Sequence, residues 1–238
     1  MKINPVGLYT HLCKSFGPQH WWPMDHSHHE QNNTDPRFEV MIGAILTQNT
    51  AWTNVEKAIK QLKKHHLLSV QALKDADTEL VKTCIRSSGY FNQKAKRLQY
   101  LSNYLAERYD GDLDQFFLQS TDRLRKELLS LHGIGPETAD SMLLYAAKKP
   151  VFVVDTYTKR LSKRLPLPVN AASYDDIQHY VEHELKKEYS THELVQVYNE
   201  LHALIVNLGK YYCKPKPICP NCPLLSLCHF GQQQEKEV

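Results

Sequence analysis

Four cysteines fall within a short stretch near the C-terminus, Cys213, Cys219, Cys222 and Cys228, in the spacing C-x5-C-x2-C-x5-C, whereas Cys13 and Cys84 stand apart. With no export signal in view, so tight a group points to metal ligation rather than to a disulfide framework. Four thiolates can hold zinc or an iron–sulfur cluster. Pro215, Pro217, Pro220 and Pro223 stiffen the wrap, and Lys210, Lys214 and Lys216 make it basic, which suits phosphate contact. A second chemistry-bearing stretch is Leu131-His132-Gly133-Ile134-Gly135-Pro136. Two glycines at i and i+2 permit a tight turn and close backbone approach, Pro136 suits the first position of a helix, and amides beside a helix N-terminus suit a phosphate. A plain helix–turn–helix connection reads equally well from that stretch alone. Asp155 opens a further helix after Val153-Val154. By itself it is either an N-cap, worth about 1 kcal/mol, or a carboxylate able to stabilise a developing positive charge. All three tryptophans, Trp21, Trp22 and Trp52, lie in the first quarter of the chain. Their rings serve either as core or as stacking faces.

The elements that must position these residues read as helices. Residues 38–48 are apolar and continuous enough for a buried helix, and 52–63 place Val55, Ala58, Ile59 and Leu62 on one face. In 94–107, Ala95, Leu98, Leu101 and Leu105 recur at helical spacing, with Lys94, Lys96 and Arg97 opposite. Ser120-Thr121-Asp122 starts a helix over 122–130, and 137–147, 155–164, 173–187 and 192–208 continue the pattern. Val151-Phe152-Val153-Val154 is either a short strand or a buried connector. The fold class is all-α. Segment 24–35, with His26, His28 and His29, reads as a solvated loop rather than a metal site, and the tail 231–238 as frayed.

The chain has 238 residues, 42% apolar and 23% charged, with 9 Gly and 12 Pro. Such a composition supports a real core and excludes collagenous, low-complexity and disordered classes. The longest apolar runs are far too short for a membrane span, and no signal-peptide stretch opens the chain. The expectation is a cytoplasmic protein, nucleoid-associated in a bacterium. Net charge is +3, from 29 Lys+Arg against 26 Asp+Glu, which by itself says little about partners.

As a set and in this order, these features resemble the endonuclease III superfamily of helix–hairpin–helix DNA glycosylases, over roughly residues 30–228. Gly133 and Gly135 fall in its DNA-binding hairpin, about 122–147. Phe38 to Thr50 resembles its first core helix, ending in a DNA-contacting Gln, here Gln48. Residues 89–95 (GYFNQKA), with Asn92, resemble the loop that fills the gap left by an extruded base. The resemblance implies a two-lobed fold, with one lobe from 1–30 plus 125–238 carrying an iron–sulfur loop and the other a helical bundle over 31–124. It implies a [4Fe–4S] cluster on the four cysteines, in a loop whose first gap is one residue shorter than the commonest form. The implied partner is double-stranded DNA with a flipped damaged base, bound by a monomer.

It also implies base excision, with Asp155 as the catalytic carboxylate. Bifunctional members carry a Lys in the second position after the hairpin's last Gly. Glu137 stands there in this chain, and a carboxylate cannot form an imine, so a monofunctional enzyme is expected. Trp21-Trp22-Pro23, the Leu46-Thr47-Gln48-Asn49-Thr50 run before Trp52, and Gly133 to Asp140 resemble the 3-methyladenine DNA glycosylase III subfamily. There, residues matching Trp21 or Trp22, Trp52 and Glu137 line the base pocket. Aromatic faces attract a cationic alkylated purine, and a carboxylate adds countercharge. Two departures stand out: that subfamily's best-known representative lacks the four cysteines, and 24–35 sets the tryptophan pair further from the core helix. A bifunctional glycosylase/AP lyase on oxidised pyrimidines, using Lys159 or Lys163, and a non-catalytic damaged-DNA-binding module are the alternatives.

Overall fold

Prolines and capping side chains mark where the helices begin. The computed structural model describes residues 3–165 and 173–236. Asn4 caps and Pro5 opens α1 (Pro5–Phe16). The chain continues through α2 (His26–Asn32), α3 (Pro36–Leu46), α4 (Trp52–Lys64), α5 (Val70–Asp75), α6 (Thr78–Cys84) and α7 (Phe91–Tyr109). Then come α8 (Leu113–Phe117), α9 (Thr121–Ser130), α10 (Pro136–Ser141), α11 (Thr156–Arg164), α12 (Tyr174–Leu185), α13 (Thr191–Tyr211) and α14 (His229–Lys236). No strand occurs among the described residues.

Contacts divide the chain into two units, Met1–Trp21 with Pro150–Val238, and Trp22–Lys149. The hairpin and its flanking helices group with the central unit, not with the terminal segments as the sequence suggested. The reason is packing: α3 lies against α10 and against the π-turn Met142–Ala146 that continues it. Arg125 of α9 also makes a bidentate pair with the fully buried Asp140 of α10, at 2.7 and 3.0 Å.

In the central unit α3 is the core element. Every residue from Phe38 to Leu46 is buried, Glu39 included. Its start is fixed by Asp35, which accepts from the Arg37 amide at 2.8 Å, and by Pro36. Segment 24–35, expected as a solvated loop, contains α2. His29 is only 3% exposed; its Nδ1 lies 2.8 Å from Thr34 Oγ1 and its Nε2 2.9 Å from Glu39 Oε2. Lys63 of α4 reaches the same Glu39 oxygen at 3.0 Å. One buried carboxylate therefore ties α2 and α4 to α3, because a buried charge persists only when paired.

The terminal unit is built on α13, opened by the Ser190–Glu193 capping box and packed by α1 and α11. Gly209 is required where α13 meets α11, because a Cβ there would run into the Tyr157 ring. Val151 to Val154 is a buried extended connector rather than a strand. Its backbone bonds to side chains of α12: the Phe152 amide donates to Glu182 at 2.9 Å, and Gln178 donates to the Phe152 carbonyl at 2.6 Å. Those bonds satisfy groups that a sheet would otherwise pair. The C-terminal segment is helical through Lys236; Glu237 and Val238 lie outside the described residues.

Candidate functional site

Asp155 sits where the buried connector meets α11, and is 8% exposed. Its Oδ1 accepts from the Thr158 amide at 2.7 Å and the Thr158 hydroxyl at 2.9 Å. The capping role is thus taken by one oxygen, and the other, Oδ2, lies 3.8 Å from Nε2 of His202 on α13. Burial holds the His202 imidazole below its ordinary pKa, with Asp155 opposing that shift, so the ring facing the carboxylate is neutral. Sequence reasoning passed over His202, because only the α11–α13 packing brings it to Asp155.

In the central unit the hairpin turn is set by Gly133, whose φ of 82° belongs to the left-handed region. A Cβ at Gly133 would also overlap the Arg97 side chain. Gly135 is different: its backbone is extended, and the space beside it is open and exposed. Glu137 lies exposed in the first turn of α10, directly after Pro136.

Gln48 is committed within the protein. Its Nε2 donates to the Gly133 carbonyl and to Thr138 Oγ1, both at 3.0 Å, and its Oε1 accepts from Arg97. In the 89–92 turn Gly89 has φ 67° and Tyr90 has φ 46°, a left-handed conformation uncommon for a non-glycine residue. The Tyr90 side chain is 66% exposed, and Asn92 is exposed beside it.

Trp22 and Trp52 are brought together, ring centroids 4.9 Å apart and nearly perpendicular. Tyr145 joins Trp22 at 5.6 Å. Gly43 makes this possible, since a Cβ there would collide with the Trp22 ring. The two indoles meet edge to face, so they do not form a parallel sandwich. Tyr145 lay hidden in an apolar run, where nothing in the spacing separates it from core. Trp21 falls in the other unit.

Cys213, Cys219, Cys222 and Cys228 line one cavity together with Arg164 and Phe230, and none is in a disulfide. Gly231 N donates to Cys228 Sγ at 3.4 Å and Arg164 Nη1 to Cys213 Sγ at 3.2 Å. Burial and the neighbouring thiols push Cys222 up to about 11. Among the described residues no three His, Cys, Asp or Glu side chains close on a common point as metal ligands do. The four thiols line one space within the terminal unit. That donor set, with N–H groups aimed at two of its sulfurs, fits a metal or cluster.

An all-helical pair of units, with a glycine hairpin between helices and a carboxylate that caps a helix start, has the architecture of a helix–hairpin–helix protein. The sequence profile of the HhH-GPD superfamily of base excision DNA repair proteins matches residues 42–187, and this chain belongs to that family. It is 41% identical over 223 residues to a Methanocaldococcus jannaschii protein that carries the provisional name DNA repair glycosylase, covering 93% of this chain and 94% of that one. It is 32% identical over 204 residues to endonuclease III of Thermotoga maritima, covering 85% and 87%. Among solved structures, the H. pylori 3-methyladenine DNA glycosylase MagIII bound to 1,N6-ethenoadenine superposes with a TM-score of 0.70 at 28% identity, covering 87% and 98%. A non-covalent endonuclease III–DNA complex gives 0.75 at 26%, covering 98% and 99%. The protein is a base-excision DNA glycosylase of the endonuclease III superfamily.

Proposed function

We propose that this glycosylase is monofunctional and removes alkylated purines of the 3-methyladenine kind from double-stranded DNA, acting as a monomer on a flipped base. The observation that carries the reading is Glu137, an exposed carboxylate in the first turn of α10, at the position where the family resemblance puts the imine-forming lysine of bifunctional members. The Trp22–Trp52–Tyr145 group supports it, because aromatic faces favour a cationic purine. The likeness to MagIII adds support. Base loss passes through an oxocarbenium-like transition state, and a cationic base leaves readily without a strong general acid. Asp155 then stabilises the sugar cation and orients the attacking water.

The four cysteines would hold a [4Fe–4S] cluster, which supplies a structural and DNA-positioning centre rather than hydrolytic chemistry. Arg164 supports this assignment by fastening the loop, donating to the carbonyls of Lys214 and Pro215 at 2.7 and 2.9 Å.

One observation favours a second reading, endonuclease III-type lyase chemistry on oxidised pyrimidines. Lys159 lies one turn past Asp155 on α11, its Nζ 5.5 Å from the Tyr174 ring centroid, and relatives of this chain are endonuclease III. Incubation with duplexes bearing 3-methyladenine, thymine glycol or uracil, read with and without alkali, separates the readings. Release of 3-methyladenine with strand breaks only after alkali supports the first. Breaks at thymine glycol without alkali support the second.

A further inference from the structure

Lys94 breaks the pattern expected of α7. It lies 1% exposed among apolar neighbours, although its spacing placed it on the polar face with Arg97. Its ammonium donates to the carbonyl of Leu46, the last residue of α3, at 2.8 Å, and to that of Ser88 at 2.7 Å. Leu46 leads into the Gln48 turn, and Ser88 leads into the turn that exposes Tyr90. One turn further along α7, Arg97 donates to Gln48 Oε1 and covers the backbone of Gly133. Gln48 in turn donates to the Gly133 carbonyl and the Thr138 hydroxyl. Three chain segments far apart in sequence (46–48, 88–92 and 133–138) are therefore fastened to one face of one helix by two cations. Neither cation is spent on a carboxylate in these contacts. Both are spent on carbonyl oxygens, whose desolvation the charge-assisted bonds offset.

We infer that Lys94 and Arg97 are positioning residues that hold the Gln48 turn, the 89–92 turn and the Gly133–Gly135 hairpin in register as one DNA-reading surface, without themselves contacting DNA. The inference rests on the proposed glycosylase function and on the family resemblance that assigns these three segments to the DNA-contacting surface. Its physical content is separable, because the register exists in the free protein.

The test uses the full chain and the variants Arg97→Met and Lys94→Met. Amide hydrogen exchange is measured on the free protein, and binding to a duplex carrying a tetrahydrofuran abasic analogue is measured as a function of salt. Arg97→Met should speed exchange at 131–135 by tenfold or more while α12 and α13 stay protected. It should weaken binding to the abasic duplex about tenfold and leave the salt slope unchanged, because a cation that touches no phosphate releases no counterion. A slope reduced by about one shows that Arg97 meets a phosphate directly and overturns the inference. So does unchanged exchange at the hairpin. Lys94→Met should speed exchange at 88–92. If that variant fails to fold, Lys94→Arg decides: protection of 88–92 restored alongside abasic binding supports positioning, and protection without binding overturns it. Wild type that binds no abasic duplex would instead remove the proposed function and leave the exchange result standing.

Discussion

At Asp155 one carboxylate serves two ends. Oδ1 caps α11 and Oδ2 stands toward a neutral buried imidazole. Asparagine caps a helix about as well as aspartate, so Asp155→Asn should melt near the wild-type temperature and bind DNA normally. Its single-turnover base release should nevertheless fall by orders of magnitude, because the amide carries no charge to set against the sugar cation. Near-normal turnover would remove Asp155 from the chemistry. His202 yields a prediction about pH. Its pKa is lower in the folded chain than in the unfolded one, so the unfolded state binds the extra proton first as pH falls. Its contribution to stability is present above the ordinary imidazole value of roughly 6.5 and is lost as pH drops through and below it. Denaturation of His202→Leu followed from pH 7.5 to pH 5 should show a flatter decline than wild type; parallel curves would refute the assignment.

The helices of the central unit place functional side chains through small numbers of contacts, and these are where substitutions should tell. Gly43 lets the Trp22 ring lie on α3. Trp52→Ala removes the ring that Trp22 meets edge to face, and base–aromatic stacking is worth about 1–3 kcal/mol per ring. Excision of 3-methyladenine by that variant should drop roughly tenfold to a hundredfold, with much less effect on binding to an abasic duplex, which has no base to stack. Loss of the folded state instead would make the indole core and end the pocket assignment. The α9–α10 pair depends on Arg125 and Asp140. Because the carboxylate is fully buried and the guanidinium partly exposed, Asp140→Ala should cost about 2–4 kcal/mol in urea denaturation, and no measurable change would show the pair to be ornamental.

Across the whole molecule two chemistries remain to be tied to the fold. As-isolated protein should be brown, with the broad visible absorption of an iron–sulfur cluster, and Cys222→Ser should lose it; colourless protein holding one zinc would place a different ion on the same thiols. Borohydride should not trap the enzyme covalently on DNA, since position 137 carries no amine. Efficient trapping would move the imine to another lysine, Lys159 first, and restore lyase chemistry. No helix among the described residues is long and apolar enough to cross a membrane.

Sequence alone determined the helical class, the hairpin, the cysteine wrap and the carboxylate at a helix start, because each depends on neighbours within a few positions. Glycine at Gly133, proline at Pro136 and the capping oxygen of Asp155 act on the chain within one turn, so their types and spacing already carry the geometry. Tertiary structure decided what depends on distant packing. Lys94 is buried because the carbonyls of Leu46 and Ser88 converge on it, and His29 because Glu39 of α3 receives it. His202 faces Asp155 only because α13 packs on α11, and Gln48 turns inward to the hairpin instead of standing free. Periodicity reports which face of a helix is apolar; it cannot report a carbonyl that arrives from forty or more residues away and makes a charged side chain affordable inside.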